Sequence, residues 1–260
     1  MLAMTRHGAG HLPPLVLLHG FLGDRHDWRA MLPLLGRHFH CLCIDLPGHG
    51  DSRAVELPTP GLSACAAMIV RCLEAAGIGQ FHLLGYSLGG RIALQLAREF
   101  PTRLLSLSLE SSHPGLTTTA ERAARRQSDS LWAERLEHAP IREFLRLWYA
   151  SPTFAELTPE AREALVARRS HNSSLSLLNC YRATSLALQQ DLSSVPAGLG
   201  CPCHYFSGAL DRKFSALAAD WQSPGLQWHC LEDAGHNLHL QAATEFGQRL
   251  LAALGEHSPC

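Results

Sequence analysis

The stretch LLGYSLGGRIAL, residues 83–94, sets a serine between two glycines and decides the fold of this chain. Gly85, Ser87 and Gly89 form a G-x-S-x-G pattern, with an apolar run before it and a helical run after it. Such a serine lies on a sharp strand-to-helix turn, where small neighbours relieve crowding of the backbone. The pattern therefore predicts a reactive serine at position 87 and an α/β protein around it.

Short apolar runs recur along the chain and are typical of strands covered on both faces, because they do not alternate with polar residues. They are residues 14–20, 41–50, 81–87, 104–111, 203–208 and 227–233. Amphipathic stretches near 60–77, 88–99 and 240–254 lie between or after them. Strands that alternate with helices predict βαβ units and a mostly parallel, doubly wound sheet.

The alternation stops between about 114 and 192, where the sequence predicts several helices and no strand. One of them begins with Thr158 as N-cap and Pro159 at the first helical position. We predict a core of residues 1–113 and 191–260 and a helical cap insertion of residues 114–190. An insertion at this point lies above the ligand crevice of the sheet, where it can act as a lid.

Composition narrows the partners. The net charge is -1, so no global field attracts nucleic acid or an anionic membrane. Nine cysteines without disulfide spacing favour a reducing compartment, and no apolar run approaches the roughly 18 residues of a membrane span. We therefore expect a cytoplasmic monomer that acts on a small molecule. Sixteen histidines raise the question of a metal, but no HExxH motif or third ligand accompanies His236 and His239, and we expect no metal site.

A reactive serine needs a general base, and that base needs an orienting acid. With this turn the chain order is serine, acid, histidine. SGALDRKF places Asp211 after one strand, and EDAGHNLH places His236 after the last. We predict Ser87, Asp211 and His236 as the triad. The competitors by position are Asp191, Asp233, His113 and His239.

The same architecture predicts two backbone donors for an oxyanion. One is the N–H of Leu88, directly after the serine. The other lies in the loop HGFLGD and is the N–H of Phe21. His19, in the same loop, is expected to be structural.

Arg91 stands four residues after Ser87, near the same face of the predicted helix. With the positive end of the helix dipole it makes the site electropositive. A substrate carrying carboxylates would benefit through charge-assisted contacts. The alternative is that Arg91 pairs with an acid such as Glu110.

Together these segments resemble the α/β-hydrolase superfamily and, more closely, its 2-succinyl-6-hydroxy-2,4-cyclohexadiene-1-carboxylate (SHCHC) synthases. The resemblance rests on HGFLGDRHDW, DLPGHGDS, GYSLGGRIAL, ESSHPGL, RAARRQSDSLWAERL, LWYASPTFAEL, LVARRSHN and RATSLALQQDL. It implies a lyase of menaquinone biosynthesis. Such an enzyme abstracts a proton and expels pyruvate from an enolpyruvyl ether without metal, nucleotide or flavin.

The resemblance also assigns substrate-binding residues. Arg91, Arg125 and Arg169 match positions expected to hold substrate carboxylates, and Tyr86 and Trp148 match positions expected to line the pocket. Arg122 and Arg126 are expected to be solvated or paired with Glu121 and Asp129. The chain departs from the family pattern at Ser111-Ser112, where two glycines are common, and at His171, where asparagine is common.

Two rival functions use the same residues differently. In a serine carboxylesterase or C–C bond hydrolase, Ser87 would attack a carbonyl carbon. In a ligand receptor, the fold would bind without turnover, and an intact triad argues against that reading.

Overall fold

The structure, a computed structural model, describes residues 1–255 and is built on one seven-stranded sheet. The strand order is β1-β3-β2-β4-β5-β6-β7, in which β1 is antiparallel to β3 and every other pairing is parallel. The strands are β1 (Met4–His7), β2 (Pro14–Leu18), β3 (His40–Ile44), β4 (Phe81–Tyr86), β5 (Leu104–Glu110), β6 (Cys203–Gly208) and β7 (Leu226–Leu231). The six runs predicted as strands are β2 to β7.

Helices follow or separate these strands. They are α1 (Leu32–Leu35), α2 (Leu62–Ala75), α3 (Leu88–Glu99), α4 (Thr119–His138), α5 (Ile141–Tyr149), α6 (Pro159–Arg169), α7 (Ser174–Ala183), α8 (Val195–Gly198), α9 (Arg212–Asp220), α10 (Leu238–Gln241) and α11 (Ala243–Gly255). No helix within residues 1–255 is both long enough and apolar enough to cross a bilayer.

Both faces of the sheet are covered by apolar side chains, which explains why the strands are apolar throughout. One face packs on α2 and α3, and the other packs on α1 and α11. Cys41 and Cys43 both belong to the second cluster and are fully buried, as small core residues on one face of β3. The core thus holds the carboxyl ends of β4, β6 and β7 in fixed positions.

Between β5 and β6 the chain forms α4 to α7, which share an apolar cluster of their own. Thr118 and Glu121 form a capping box at the start of α4, and Thr158 caps α6 as predicted, accepting from the N–H of Ala161 at 3.2 Å. Phe21, from the loop after β2, packs against this cluster. The helical segment therefore contacts the loops at the carboxyl edge of the sheet.

No sequence pattern predicts β1. Its four residues, MTRH, are too few and too polar for a hydrophobic pattern. Pairing with β3 in register, Met4 opposite Ile44, stabilises it instead. A short polar strand suits the edge of a sheet, where a long apolar one would invite association.

Candidate active site

Ser87 occupies the turn between β4 and α3 with a positive φ of 49°. Its N–H donates to the carbonyl of Glu110 at 2.8 Å, and its carbonyl accepts from the N–H of Arg91 at 3.1 Å. A Cβ at Gly85 would collide with the backbone of Gly89, so the turn requires glycine there. The surrounding backbone thus holds the serine in a conformation that an L-residue seldom adopts.

His236 and Asp211 meet although 25 residues separate them in the chain. Nδ1 of His236 lies 2.6 Å from Oδ2 of Asp211, and each residue is only 3% exposed. Since a carboxylate can only accept, Nδ1 carries the proton, and Nε2 of the neutral ring is the basic nitrogen. Phe154 and Phe214 pack against the imidazole at centroid distances of 5.3 and 4.8 Å.

Three of the four positional competitors have other surroundings. His239 is fully buried, and its Nδ1 bonds Glu110 at 2.7 Å. Asp191 caps a turn through the N–H of Ser193 at 3.0 Å, and Asp233 is exposed. The partner of Glu110 is thus His239. The alternative that Arg91 pairs with Glu110 is not what the structure shows, because Arg91 bonds Gln189 and Thr184.

Ser87 and His236 line one cavity of about 360 Å³. Phe21 and Leu88, the predicted oxyanion donors, line it as well. Leu88 is the first residue of α3, so its N–H has no acceptor within the helix and is available to a ligand. The predicted structural role of His19 is confirmed, because its ring bonds the carbonyl of Gly20 at 2.8 Å and the N–H of Leu46 at 3.0 Å.

Arg91 also lines this cavity, and both of its hydrogen-bond partners are uncharged. Nε donates to Oε1 of Gln189 at 2.6 Å, and Nη2 donates to the carbonyl of Thr184 at 2.6 Å. Burial, together with repulsion from Arg125, lowers the pKa of Arg91 to about 9 even though Asp129 partly offsets it. The guanidinium is still charged at neutral pH, and no acidic side chain within residues 1–255 forms an ion pair with it.

Arg125 lines the cavity from α4, but it has an acid partner. Its Nε donates to Oδ1 of Asp129 at 2.7 Å, and that carboxylate also accepts from the hydroxyls of Tyr181 and Ser185. Asp129 therefore pairs with Arg125 and not with Arg122, which donates to the backbone carbonyls of Leu116 and Gln189.

Tyr86 and Trp148 line the cavity as well. The Tyr86 hydroxyl donates to Oδ1 of Asn237, and its ring lies 5.3 Å from that of His236. Trp148 packs edge-on against Phe21 at 5.3 Å. These rings supply aromatic surface to the lining of the cavity.

The structure does not bring Arg169 to the cavity. Its guanidinium is 4% exposed and pairs with Oδ1 of Asp27 at 2.6 Å, with Asp24 at 3.8 Å. Burial would by itself raise the pKa of Asp27, but Arg169 and His239 outweigh it and hold that pKa below its usual value. Asp27 is thus the charged partner of Arg169, and the contact of Arg169 with a substrate carboxylate stays a prediction.

Two residues near the site, Lys213 and Glu156, were not predicted, and His113 was named only as a positional competitor for the triad. Lys213 and His113 line the cavity, and Oε1 of Glu156 accepts from the N–H of His236 at 3.1 Å. Glu156 also accepts from Nε2 of Gln241 at 3.0 Å. Lys213 could have been suspected, because it follows Asp211 by two residues, in the first turn of α9.

Within residues 1–255 no group of three or more His, Cys, Asp or Glu side chains is arranged to hold a metal ion. The cavity brings together a serine, a histidine paired with an aspartate, and arginine side chains.

Known proteins and one family model match nearly the whole chain. The model of the alpha/beta hydrolase fold family matches residues 13–243. Over 244 residues the chain is 42% identical to the 2-succinyl-6-hydroxy-2,4-cyclohexadiene-1-carboxylate synthase of Salmonella typhimurium, covering 92% of this chain and 93% of the relative. The synthase of Salmonella enteritidis is equally similar.

Among solved structures, MenH from S. aureus superposes with a TM-score of 0.89 at 26% identity and 98% coverage of both chains. A hydrolase from Pseudomonas aeruginosa superposes with a TM-score of 0.80 at 24% identity, covering 98% of this chain and 94% of the other. The second likeness shows the fold alone.

Proposed function

The chain belongs to the alpha/beta hydrolase fold family and, within it, to the SHCHC synthases, and we propose that it expels pyruvate from 2-succinyl-5-enolpyruvyl-6-hydroxy-3-cyclohexene-1-carboxylate. The product is SHCHC, and the chain is thus a lyase of menaquinone biosynthesis. The observation that carries this proposal is Arg91, a cation that lines the cavity with Ser87 and forms no ion pair with a carboxylate in the described part of the chain, residues 1–255.

The bond changes follow from substrate and product. A proton leaves C2, next to the succinyl carbonyl, and its electron pair forms the C2=C3 double bond. The existing C3=C4 bond shifts to C4=C5, and the C5–O bond breaks with its electrons on oxygen. The leaving enolate takes up a proton and becomes pyruvate, so no water, oxidant or reductant is consumed.

We assign Ser87 as the base that removes the C2 proton. Nε2 of His236 accepts the serine proton, and Asp211 holds the imidazole in the tautomer that permits this. No acyl-enzyme is required, because nothing in the reaction needs attack on a carbonyl carbon.

Charge that develops on the succinyl carbonyl oxygen needs donors in place before the proton leaves. The N–H groups of Phe21 and Leu88 supply them in this proposal. Arg91 and Arg125 hold substrate carboxylates, and the Arg125 contact is the weaker one because Asp129 already shares its charge. Tyr86 and Trp148 enclose the ring. Helices α4 to α7 form the cap that covers the cavity.

The direct test is to supply the enolpyruvyl ether and follow pyruvate release. We expect turnover by the wild type, a strong loss in Asp211→Asn, and activity within twofold of wild type in Asp233→Asn, a matched change in an exposed acid. Absence of pyruvate would refute the proposed reaction. Equal activity of the two variants would refute the role of Asp211.

A further inference from the structure

Two residues line both the catalytic cavity and a second cleft of about 850 Å³ beside it. They are His113, just after β5, and Lys213, in the first turn of α9. A group held by this pair would contact the reacting space on one side and the cleft on the other.

Lys213 is the only lysine of the chain. Within residues 1–255 it forms no ion pair with an acid, and its ammonium lies 5.2 Å from the centroid of the Phe214 ring. Burial and repulsion from Arg125 lower the pKa of Lys213, although Asp211 partly opposes them. An anion beside Lys213 would relieve this unfavourable environment.

His113 contributes a neutral donor. Its Nδ1 accepts from the N–H of Gly115 at 3.0 Å, so the proton of the neutral ring is on Nε2. Burial first, and then Arg91, Lys213 and Arg125, lower the pKa of His113 to about 4. The ring thus stays neutral near pH 7, and its Nε2–H is free for an acceptor.

The proposed substrate carries three carboxylates, on the succinyl chain, the ring and the enolpyruvyl group. Arg91 and Arg125 account for two cations at the cavity, and Arg169 is engaged by Asp27. The third cation that lines the cavity is Lys213. The leaving group departs as a separate small molecule, which suits a pair that borders a second cleft.

We propose that Lys213 and His113 bind the carboxylate of the enolpyruvyl group and that free pyruvate leaves past them through the second cleft. This inference rests on the proposed function. Lys213 neutralises the carboxylate, and Nε2–H of His113 donates to it. The pair holds the leaving oxygen away from the ring as the C5–O bond breaks.

The first test compares three variants in pyruvate release and in inhibition by added pyruvate. We expect Lys213→Met to lower kcat/KM and to raise the inhibition constant of pyruvate, each by about 10–100-fold, as for loss of a charge-assisted hydrogen bond. Lys213→Arg should recover part of both. Arg212→Met removes the same charge one residue away, outside both cavities, and should stay within twofold of wild type.

For His113, the Gln variant retains a side-chain donor and should bind pyruvate more tightly than the Phe variant. A Lys213→Met enzyme with an unchanged kcat/KM and an unchanged pyruvate inhibition constant would overturn the proposal.

The second test needs no turnover. Reductive ¹³C-methylation keeps the charge and labels only Lys213 and the N-terminal amine, because the chain has one lysine. Addition of pyruvate should shift the Lys213 resonance saturably and leave the N-terminal resonance in place. An unmoved lysine resonance in an enzyme that still releases pyruvate would overturn the inference while leaving the proposed function intact. If the wild type released no pyruvate, the proposed function would fail, and the lysine resonance would still report whether the anion site exists.

Discussion

Nη2 of Arg91 donates to the backbone carbonyl of Thr184 at 2.6 Å, which fixes a cation of the core against the segment that follows α7. The bond from Nε to Gln189 and the bond from Nη2 to Thr184 use part of the planar guanidinium. The remaining N–H groups are left for a ligand in the cavity that Arg91 lines.

Replacement of Arg91 by Ala should lower kcat/KM for pyruvate release by about 2–4 kcal/mol of transition-state stabilisation, because a desolvated carboxylate loses its counter-ion. The kcat/KM of Arg91→Lys should lie between those of the wild type and Arg91→Ala, since lysine keeps the charge and loses the planar fork of the guanidinium. Steady-state kinetics measure both. An unchanged specificity constant in Arg91→Ala would assign Arg91 to structure alone.

Ser87→Ala should lower kcat by about 10²–10⁴-fold, the range attributed to general acid–base catalysis, with little change in the melting temperature. The substitution removes the hydroxyl that acts as the proposed base. Because alanine keeps the Cβ of serine, the turn itself should not change. Single-turnover pyruvate release measures it. A variant that retained more than a few per cent of turnover would contradict Ser87 as the base.

A p-nitrophenyl ester distinguishes the lyase from the carboxylesterase. We expect no burst of p-nitrophenol at enzyme-equivalent amplitude, because the proposed reaction forms no acyl-enzyme. Stopped-flow absorbance provides the measurement. A burst, with ester turnover that rivals pyruvate release, would favour the hydrolase.

Ser111 offers a test of backbone strain. Its φ is 45°, and among residues 1–255 its buried Oγ has no hydrogen-bond partner. Ser111→Gly should raise the free energy of unfolding by about 1 kcal/mol, because relief of strain exceeds the entropy cost of glycine. Ser112→Gly is the matched control and should lower it by about 1 kcal/mol, since the Ser112 hydroxyl donates to the carbonyl of Ser87 at 3.0 Å. Urea unfolding measures both, and equal shifts would refute the account.

Stability should fall in mild acid, partly because of His49. Its Nε2 accepts from the N–H of Leu22 at 3.2 Å, which requires the neutral ring. Burial, and next the neighbouring His19, lower the pKa of His49 to about 3. The unfolded chain, with a histidine pKa of about 6.5, therefore takes up the proton first, so this contribution is complete above about pH 6.5 and is lost as the pH falls toward 3.

His49→Gln should reduce the slope of unfolding free energy against pH by up to about 1.4 kcal/mol per pH unit between pH 4 and 6. Urea unfolding at several pH values measures the slope. Identical slopes for variant and wild type would exclude His49 as a source.

Most of the fold could be predicted from the sequence, because strands buried on both faces are runs of apolar residues. Ser87 was predicted from its turn, and Asp211 and His236 were predicted from the chain order that this turn imposes. The contact between Asp211 and His236 agrees with that order. The edge strand β1 was missed because four residues, stabilised by register with β3, carry no pattern.

The cations that line the cavity could be predicted from the sequence only in part. Arg91 and Arg125 line the cavity, but the pairing of Arg169 with Asp27 joins α6 to the loop after β2. Nothing local to either residue encodes that contact. Lys213 was not predicted for the same reason. Its proposed role depends on tertiary surroundings, since within residues 1–255 no acidic side chain forms an ion pair with its ammonium.

Glu156 links two segments that are distant in the chain. It lies between α5 and α6, and its carboxylate accepts from the main chain of His236. A shift of the segment between α5 and α6 would therefore also displace the main chain of His236.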